Sequence, residues 1–204
     1  MLETRNIVFS YPGAQAPLYD GLSFVVDINE RVALRAPSGF GKTTLCRLLA
    51  GFEQPSSGEV LFDGKPLPRS GVCPVQMIGQ HPELAVDPRM RMRDTLAEAG
   101  DVSAAVLDAL GIKQAWLNRC PHELSGGELQ RFCIARAVAA QPRYLIADEI
   151  STMLDAVTQA QIWAFLLDYV KSNAVGLVFV SHSPALTKRI ATRTVALDKD
   201  EDLA

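Results

Sequence analysis

The chain has 204 residues, of which 48% are hydrophobic and 21% charged, with a formal net charge of −3. That supports one sizeable domain with a filled core and argues against wholesale disorder or a nucleic-acid binder relying on a basic surface. Four scattered cysteines (Cys46, Cys73, Cys120, Cys133) without a C-x-x-C pair favour reduced thiols over a disulfide framework or a zinc site. No stretch approaches the roughly 20 apolar residues of a membrane-spanning helix. The opening "MLETRNIVFSYPG" is polar and mixed in charge, unlike a secretory signal.

In chain order, "NIVFSY" (6–11), "LSFVVD" (22–27) and "RVALRA" (31–36) read as strands, and "KTTLCRLLAG" (42–51) as a helix closed by glycine. "GEVLFDG" (58–64) is a further strand ending in a turn signal. "VCPVQMIGQ" (72–80) reads as extended, with Pro74 confining it to an edge or to its own start. From about 88 to 140 strand-like runs vanish, and "RMRDTLAEA", "SAAVLDALGI" and "GGELQRFCIARAVAA" carry helical spacing. Strands return in "RYLIAD" (143–148), "VGLVFVS" (175–181) and "RTVALD" (193–198), with a helix over 155–172. Nearly all-apolar strands alternating with helices indicate a parallel sheet covered on both faces. The middle helical block reads as an insertion.

The stretch "LRAPSGFGKTTL" (34–45) nearly matches the phosphate-loop pattern G-x-x-x-x-G-K-[ST], with Gly41, Lys42 and Thr43 in place but Ala36 for the first glycine. It follows an apolar strand and opens a helix, where successive backbone amides and the helix N-terminus favour phosphate. Lys42 would reach the β- and γ-phosphates and Thr43 a magnesium ion. Glycine is needed only where φ is positive or a Cβ would collide, and Pro37 already asks residue 36 for an extended conformation. Alanine is therefore expected to be tolerated.

"RYLIADE" (143–149) is an apolar strand ending in two carboxylates. Successive strand side chains point opposite ways, so Asp148 and Glu149 should serve different partners. Asp148 suits a metal shell, and Glu149 suits orienting or deprotonating an attacking water. "ELSGGELQR" (123–131) then places a serine and two glycines at a helix start, a second set of anion donors that one nucleotide does not require.

Together these three stretches resemble the ABC ATPase nucleotide-binding domain, whose signature is usually written LSGGQ; the likeness spans essentially the whole chain, with the motifs in order. It implies an α/β fold: a P-loop NTPase core of the ABC ATPase type, with an N-terminal antiparallel β subdomain and an inserted helical subdomain. One domain would cover 1–204, with 1–87 and 141–204 as the core and 88–140 as the helical part. The cofactors implied are ATP and Mg²⁺. Ser38, Gly39, Gly41, Lys42, Thr43 and Thr44 would bind the phosphates, with Thr43, Gln80 and Asp148 around the metal. Glu149, His182 and Gln80 would be catalytic, and Tyr11 would stack on adenine. Ser125, Gly126, Gly127 and Asp155 would reach the nucleotide across a head-to-tail dimer.

The resemblance also implies partners: permease subunits, a sister ATPase or second copy, and indirectly an external solute-binding protein, with the chain at the cytoplasmic face of the membrane. "CPHELSGGELQR", "IADEISTMLDAVTQAQIW" and "GQHPELAVDPRMRM" look like the peptide/nickel importer branch. A soluble ABC ATPase acting in assembly or scaffolding is the alternative, and a small-molecule P-loop kinase would leave Ser125–Gly127 unexplained. Three positions depart from the family pattern: Ala36, Glu128 for the signature glutamine, and Ile150 where proline often stands. His81 and His122 lack metal-ligand spacing. Cys46, Cys133, Met90 and Met92 read as packing residues, and the arginines of "DPRMRMRD" as a solvated face.

Overall fold

The computed structural model describes residues 1–152 and 154–197. Two sheets organise it. The first is antiparallel, in the order β2-β1-β4-β5, from β1 (Leu2–Phe9), β2 (Tyr19–Val26), β4 (Ser57–Phe62) and the short β5 (Lys65–Pro66). The second is parallel, in the order β6-β7-β8-β3-β9, from β3 (Arg31–Arg35), β6 (Val75–Ile78), β7 (Tyr144–Asp148), β8 (Gly176–Val180) and β9 (Arg193–Ala196).

Every residue of β7 and β8 is buried, as expected of central parallel strands with both faces covered. Alternation divides them between two cores. Leu145, Ala147, Leu177 and Phe179 pack with the long helices α4 (Gly126–Ala139) and α5 (Ala156–Ser172). Tyr144, Ile146, Val178 and Val180 pack with α1 (Lys42–Leu49) and the antiparallel sheet. The parallel sheet is thus a middle layer, and the antiparallel sheet lies on the α1 side of it.

Pro74 immediately precedes β6, which is an edge strand, so both escapes open to a proline near a strand are used. Its carbonyl accepts from the Arg143 and Tyr144 amides, starting the β6–β7 ladder. Between β6 and β7 the described chain is helical: α2 (Met92–Ala97), α3 (Ala104–Ala109), three single 3₁₀ turns and α4. The last helix, α6 (Pro184–Ile190), has Pro184 in its first turn and Ser183 as N-cap, a start signal that the sequence reading passed over. β1 begins four residues earlier than expected and ends at Phe9, which leaves Tyr11 in the following turn. The expected strand over 193–198 is β9 and ends at Ala196; Asp198 lies outside the described residues.

Candidate active site

The C-terminal ends of β3, β7 and β8 deliver the chemistry-bearing residues. Beyond β3, the loop 36–41 turns through left-handed Gly39 (φ 80°) and Gly41 (φ 96°), while Ala36 is not at positive φ. The glycines that the loop requires are present, and the missing one falls where alanine is unstrained. Lys42 is 8% exposed, and its Nζ donates to the Ala36 carbonyl at 2.9 Å and the Pro37 carbonyl at 3.0 Å. Its ammonium therefore lies folded over the loop interior. Ser38, Gly39 and Thr43 face solvent, whereas Thr44 is buried and its Oγ1 lies 2.8 Å from the Tyr11 hydroxyl. That bond holds the exposed Tyr11 ring beside α1, with Phe9 edge-on to it at 5.0 Å.

Asp148, on the α1 side of β7, is 2% exposed, and its Oδ1 has no hydrogen-bond partner. Burial raises its pKa; the Thr43 hydroxyl pulls it down, Glu149 pushes it up and the Lys42 charge opposes burial. A buried, orphaned carboxylate oxygen beside a hydroxyl and a phosphate loop is a hard-oxygen donor set that fits Mg²⁺. Among the described residues no group of three His, Cys, Asp or Glu converges, so the remaining ligands would come from phosphate and water.

Glu149 follows β7 in a left-handed conformation (φ 50°), unusual for a residue with a Cβ and a mark of a backbone held by its surroundings. Its Oε1 lies 2.7 Å from His182 Nε2, on the segment leaving β8. Asp148 and Glu149 thus face different partners. The next turn is pinned by Ser151, whose buried hydroxyl accepts from Gln159 Nε2 (2.9 Å) and Trp163 Nε1 (3.0 Å) of α5. Ile150 is buried in the α4–α5 core, which accounts for an apolar residue there.

Ser125 caps α4: its Oγ accepts from the Glu128 amide, and the Glu128 carboxylate accepts from the Ser125 amide at 2.8 Å. Glu128, the departure from the usual glutamine, is the acid of a capping box. The cap uses the Ser125 oxygen as acceptor and leaves its proton free to donate. Asp155 caps α5 in the same way, accepting from the Val157 and Thr158 amides and from Thr158 Oγ1 at 2.7 Å. The Thr158 bonds hold its carboxyl below the usual range.

Gln80, Ser125–Glu128, Glu149 and Asp155 line one cavity of about 570 Å³, which includes none of Ser38–Thr44. The fold therefore groups Gly39–Thr44 with Tyr11 and Asp148, and Glu149 with His182, and opens Ser125–Gly127 onto a space shared with Gln80 and Glu149 but not with the phosphate loop. One face of α4 also bonds the segment 79–85 around Gln80. Gln130 Nε2 donates to the Gly79 carbonyl at 3.3 Å, Cys133 Sγ lies 3.7 Å from the Pro82 carbonyl, and Arg136 reaches the Ala85 carbonyl. His81 and His122 are exposed, and Cys46, Cys133 and Met92 are buried packing residues. The sequence reading missed Tyr19, whose hydroxyl donates to the Gly41 carbonyl across 22 residues, and the Ser151–Trp163 pair. Nothing in local spacing marks Tyr19.

Comparison with known proteins bears on the family and the fold. A family profile described as "ABC transporter" matches residues 19–152. The nickel import ATP-binding protein NikE of Rhodospirillum rubrum is 37% identical over 189 residues, covering 83% of this chain and 68% of that protein. NikE of Escherichia coli K12 is 32% identical over 201 residues, covering 89% and 75%. The sulfate/thiosulfate import ATP-binding protein CysA of Bradyrhizobium diazoefficiens is 36% identical over 212 residues, covering 97% and 61%. Among solved structures, an ATP-binding cassette dimer in a post-hydrolysis state with ADP and Pi superposes with a TM-score of 0.83 at 21% identity, covering 97% of this chain and 94% of the other. The profile, the relatives and the two-sheet fold with its phosphate loop agree: the chain belongs to the ABC transporter family, as one of its ATPase domains.

Proposed function

We propose that the chain is the ATP-binding and ATP-hydrolysing subunit that powers an ABC importer for nickel, a metal chelate or a peptide. The carrying observation is the placement of Ser125–Gly127 on a cavity that Gln80 and Glu149 also line but to which none of Ser38–Thr44 contributes. That placement supports a head-to-tail pair in which these donors and Asp155 meet the nucleotide held by a second copy or a sister ATPase. Gly126 fits this use, since a Cβ on it would meet nothing within 4 Å in the chain itself.

In this reading Ser38, Gly39, Gly41, Lys42, Thr43 and Thr44 hold the phosphates, and Tyr11 offers its exposed ring to the base. Thr43, Asp148 and Gln80 are the residues that would hold Mg²⁺, which when bound neutralises charge on the phosphates. Glu149 orients and deprotonates the attacking water. His182, against its carboxylate, fixes that group and lies at the γ-phosphate end. Closure driven by ATP and reopening after hydrolysis constitute a ligand-driven population shift that a permease can use. Among the described residues no helix is long and apolar enough to cross a membrane, so transport requires permease subunits, with the chain at the cytoplasmic face of the membrane. An external solute-binding protein would deliver the solute.

Nickel is placed first because two relatives named as nickel importers cover most of the chain. A sulfate importer of similar identity argues that selection lies mainly outside this subunit. The test is uptake of radiolabelled nickel, peptide and sulfate by cells with and without the chain, together with its recovery from detergent extracts. Co-purification with a polytopic membrane protein and loss of nickel or peptide uptake are expected. Recovery with soluble partners alone, with uptake unchanged, would sink the importer reading.

A further inference from the structure

Tyr19 opens β2 opposite Phe9, is 5% exposed, and donates its hydroxyl proton to the Gly41 carbonyl at 2.7 Å. The same carbonyl accepts from the Leu45 amide at 2.9 Å, which makes it the first intrahelical acceptor of α1. Gly41 stands at φ 96°, and a Cβ on it would come within 2.9 Å of the Tyr19 hydroxyl and 2.8 Å of Leu18 Cδ2. The side chains of Leu18 and Tyr19, at the start of β2, are therefore pressed against the peptide from which the helix starts. The other root of the loop is held by Lys42 on the Ala36 and Pro37 carbonyls. Ser38 and Gly39 between these anchors are exposed.

We propose that Tyr19 is a positioning residue for the phosphate loop: its hydroxyl fixes the Gly41 peptide so that the amides opening α1 are already aimed at the phosphate chain of a nucleotide. A loop that must be ordered on binding loses affinity to that ordering, whereas a preorganised one does not. Burial keeps the Tyr19 phenol protonated far above neutral pH, so the donor is present throughout the working range. Tyr19 itself need not touch the nucleotide. The inference rests on the ATPase reading above.

The test compares Tyr19→Phe with Tyr144→Phe in the full chain. Tyr144 also donates a buried hydroxyl to a carbonyl, Val26 at 3.1 Å, but starts β7 at the end of the strand away from Asp148. It controls for the loss of such a bond without contact to the loop. Tyr19→Phe is expected to raise the KM for ATP and the Kd for ADP about three- to tenfold, with kcat within about twofold. Tyr144→Phe is expected to lower the thermal midpoint while leaving both constants within about twofold. Equal nucleotide affinity in the two variants and the unaltered chain would overturn the role of Tyr19 alone. Failure of the unaltered chain to bind ADP would overturn the ATPase reading and this inference with it.

Discussion

Asp148→Asn should make the nucleotide-free protein more stable. Asp148 is 2% exposed with Oδ1 unpartnered, and a buried polar group without a partner costs about 1–3 kcal/mol, more when charged. The amide removes the charge while keeping an acceptor toward Thr43. A gain of about 1–3 kcal/mol would raise the melting midpoint by roughly 2–12 °C in a chain of this size. The pH dependence has a definite sign. The folded carboxyl titrates above its ordinary 3.8, so the folded state binds the proton more tightly than the unfolded one. The penalty is therefore absent below the unfolded pKa, grows as pH rises through that value, and is complete above the raised folded pKa. Melting curves of both proteins across about pH 4–8 should show the gap closing toward acid. Saturating ATP with Mg²⁺ should reverse the order: ligand at 100 times its Kd contributes about 2.7 kcal/mol, and the amide forfeits the metal-linked part. A variant less stable than the parent at about pH 7 without ligand would refute this account of the buried carboxylate.

Glu149→Gln should retain ATP binding and trap a dimer while cutting turnover about 10²–10⁴-fold, read by phosphate release and size-exclusion chromatography; unchanged turnover would remove the assigned base. Gly126→Ala should leave the monomer's melting midpoint unchanged or slightly higher, because its Cβ meets nothing, yet abolish the ATP-dependent dimer. A folded variant that still dimerises with ATP would place the partner's nucleotide elsewhere. Asp155→Ala should lower the melting midpoint near neutral pH by uncapping α5. Since the Asp155 carboxyl is held below 3.8, that difference should persist above the ordinary carboxylate range and fade as pH falls through the folded value. Arg136→Ala removes both the bond to the Ala85 carbonyl and the 3.0 Å ion pair with Glu98. Faster amide exchange around 79–85 is expected, and unchanged protection would show that this segment does not depend on α4.

The sequence by itself determined the phosphate loop, the paired carboxylates and the serine–glycine helix start, because each is a local pattern whose chemistry depends on neighbours a few residues apart. It also determined the parallel sheet, since β7 and β8 are apolar runs that only burial on both faces explains. Ala36 was legible for the same local reason: the following proline sets its backbone. Glu128 was read only as a departure, although Ser125 three residues earlier spelled a capping box. What the tertiary structure alone decided lies in contacts between distant segments. Tyr19 meets Gly41 because the antiparallel sheet packs over α1, and Glu149 meets His182 because β7 and β8 are adjacent. Asp148 Oδ1 is left without a hydrogen-bond partner because β7 lies in the middle layer. No spacing rule encodes these encounters, because pairing between segments is fixed by how the layers bury their apolar faces.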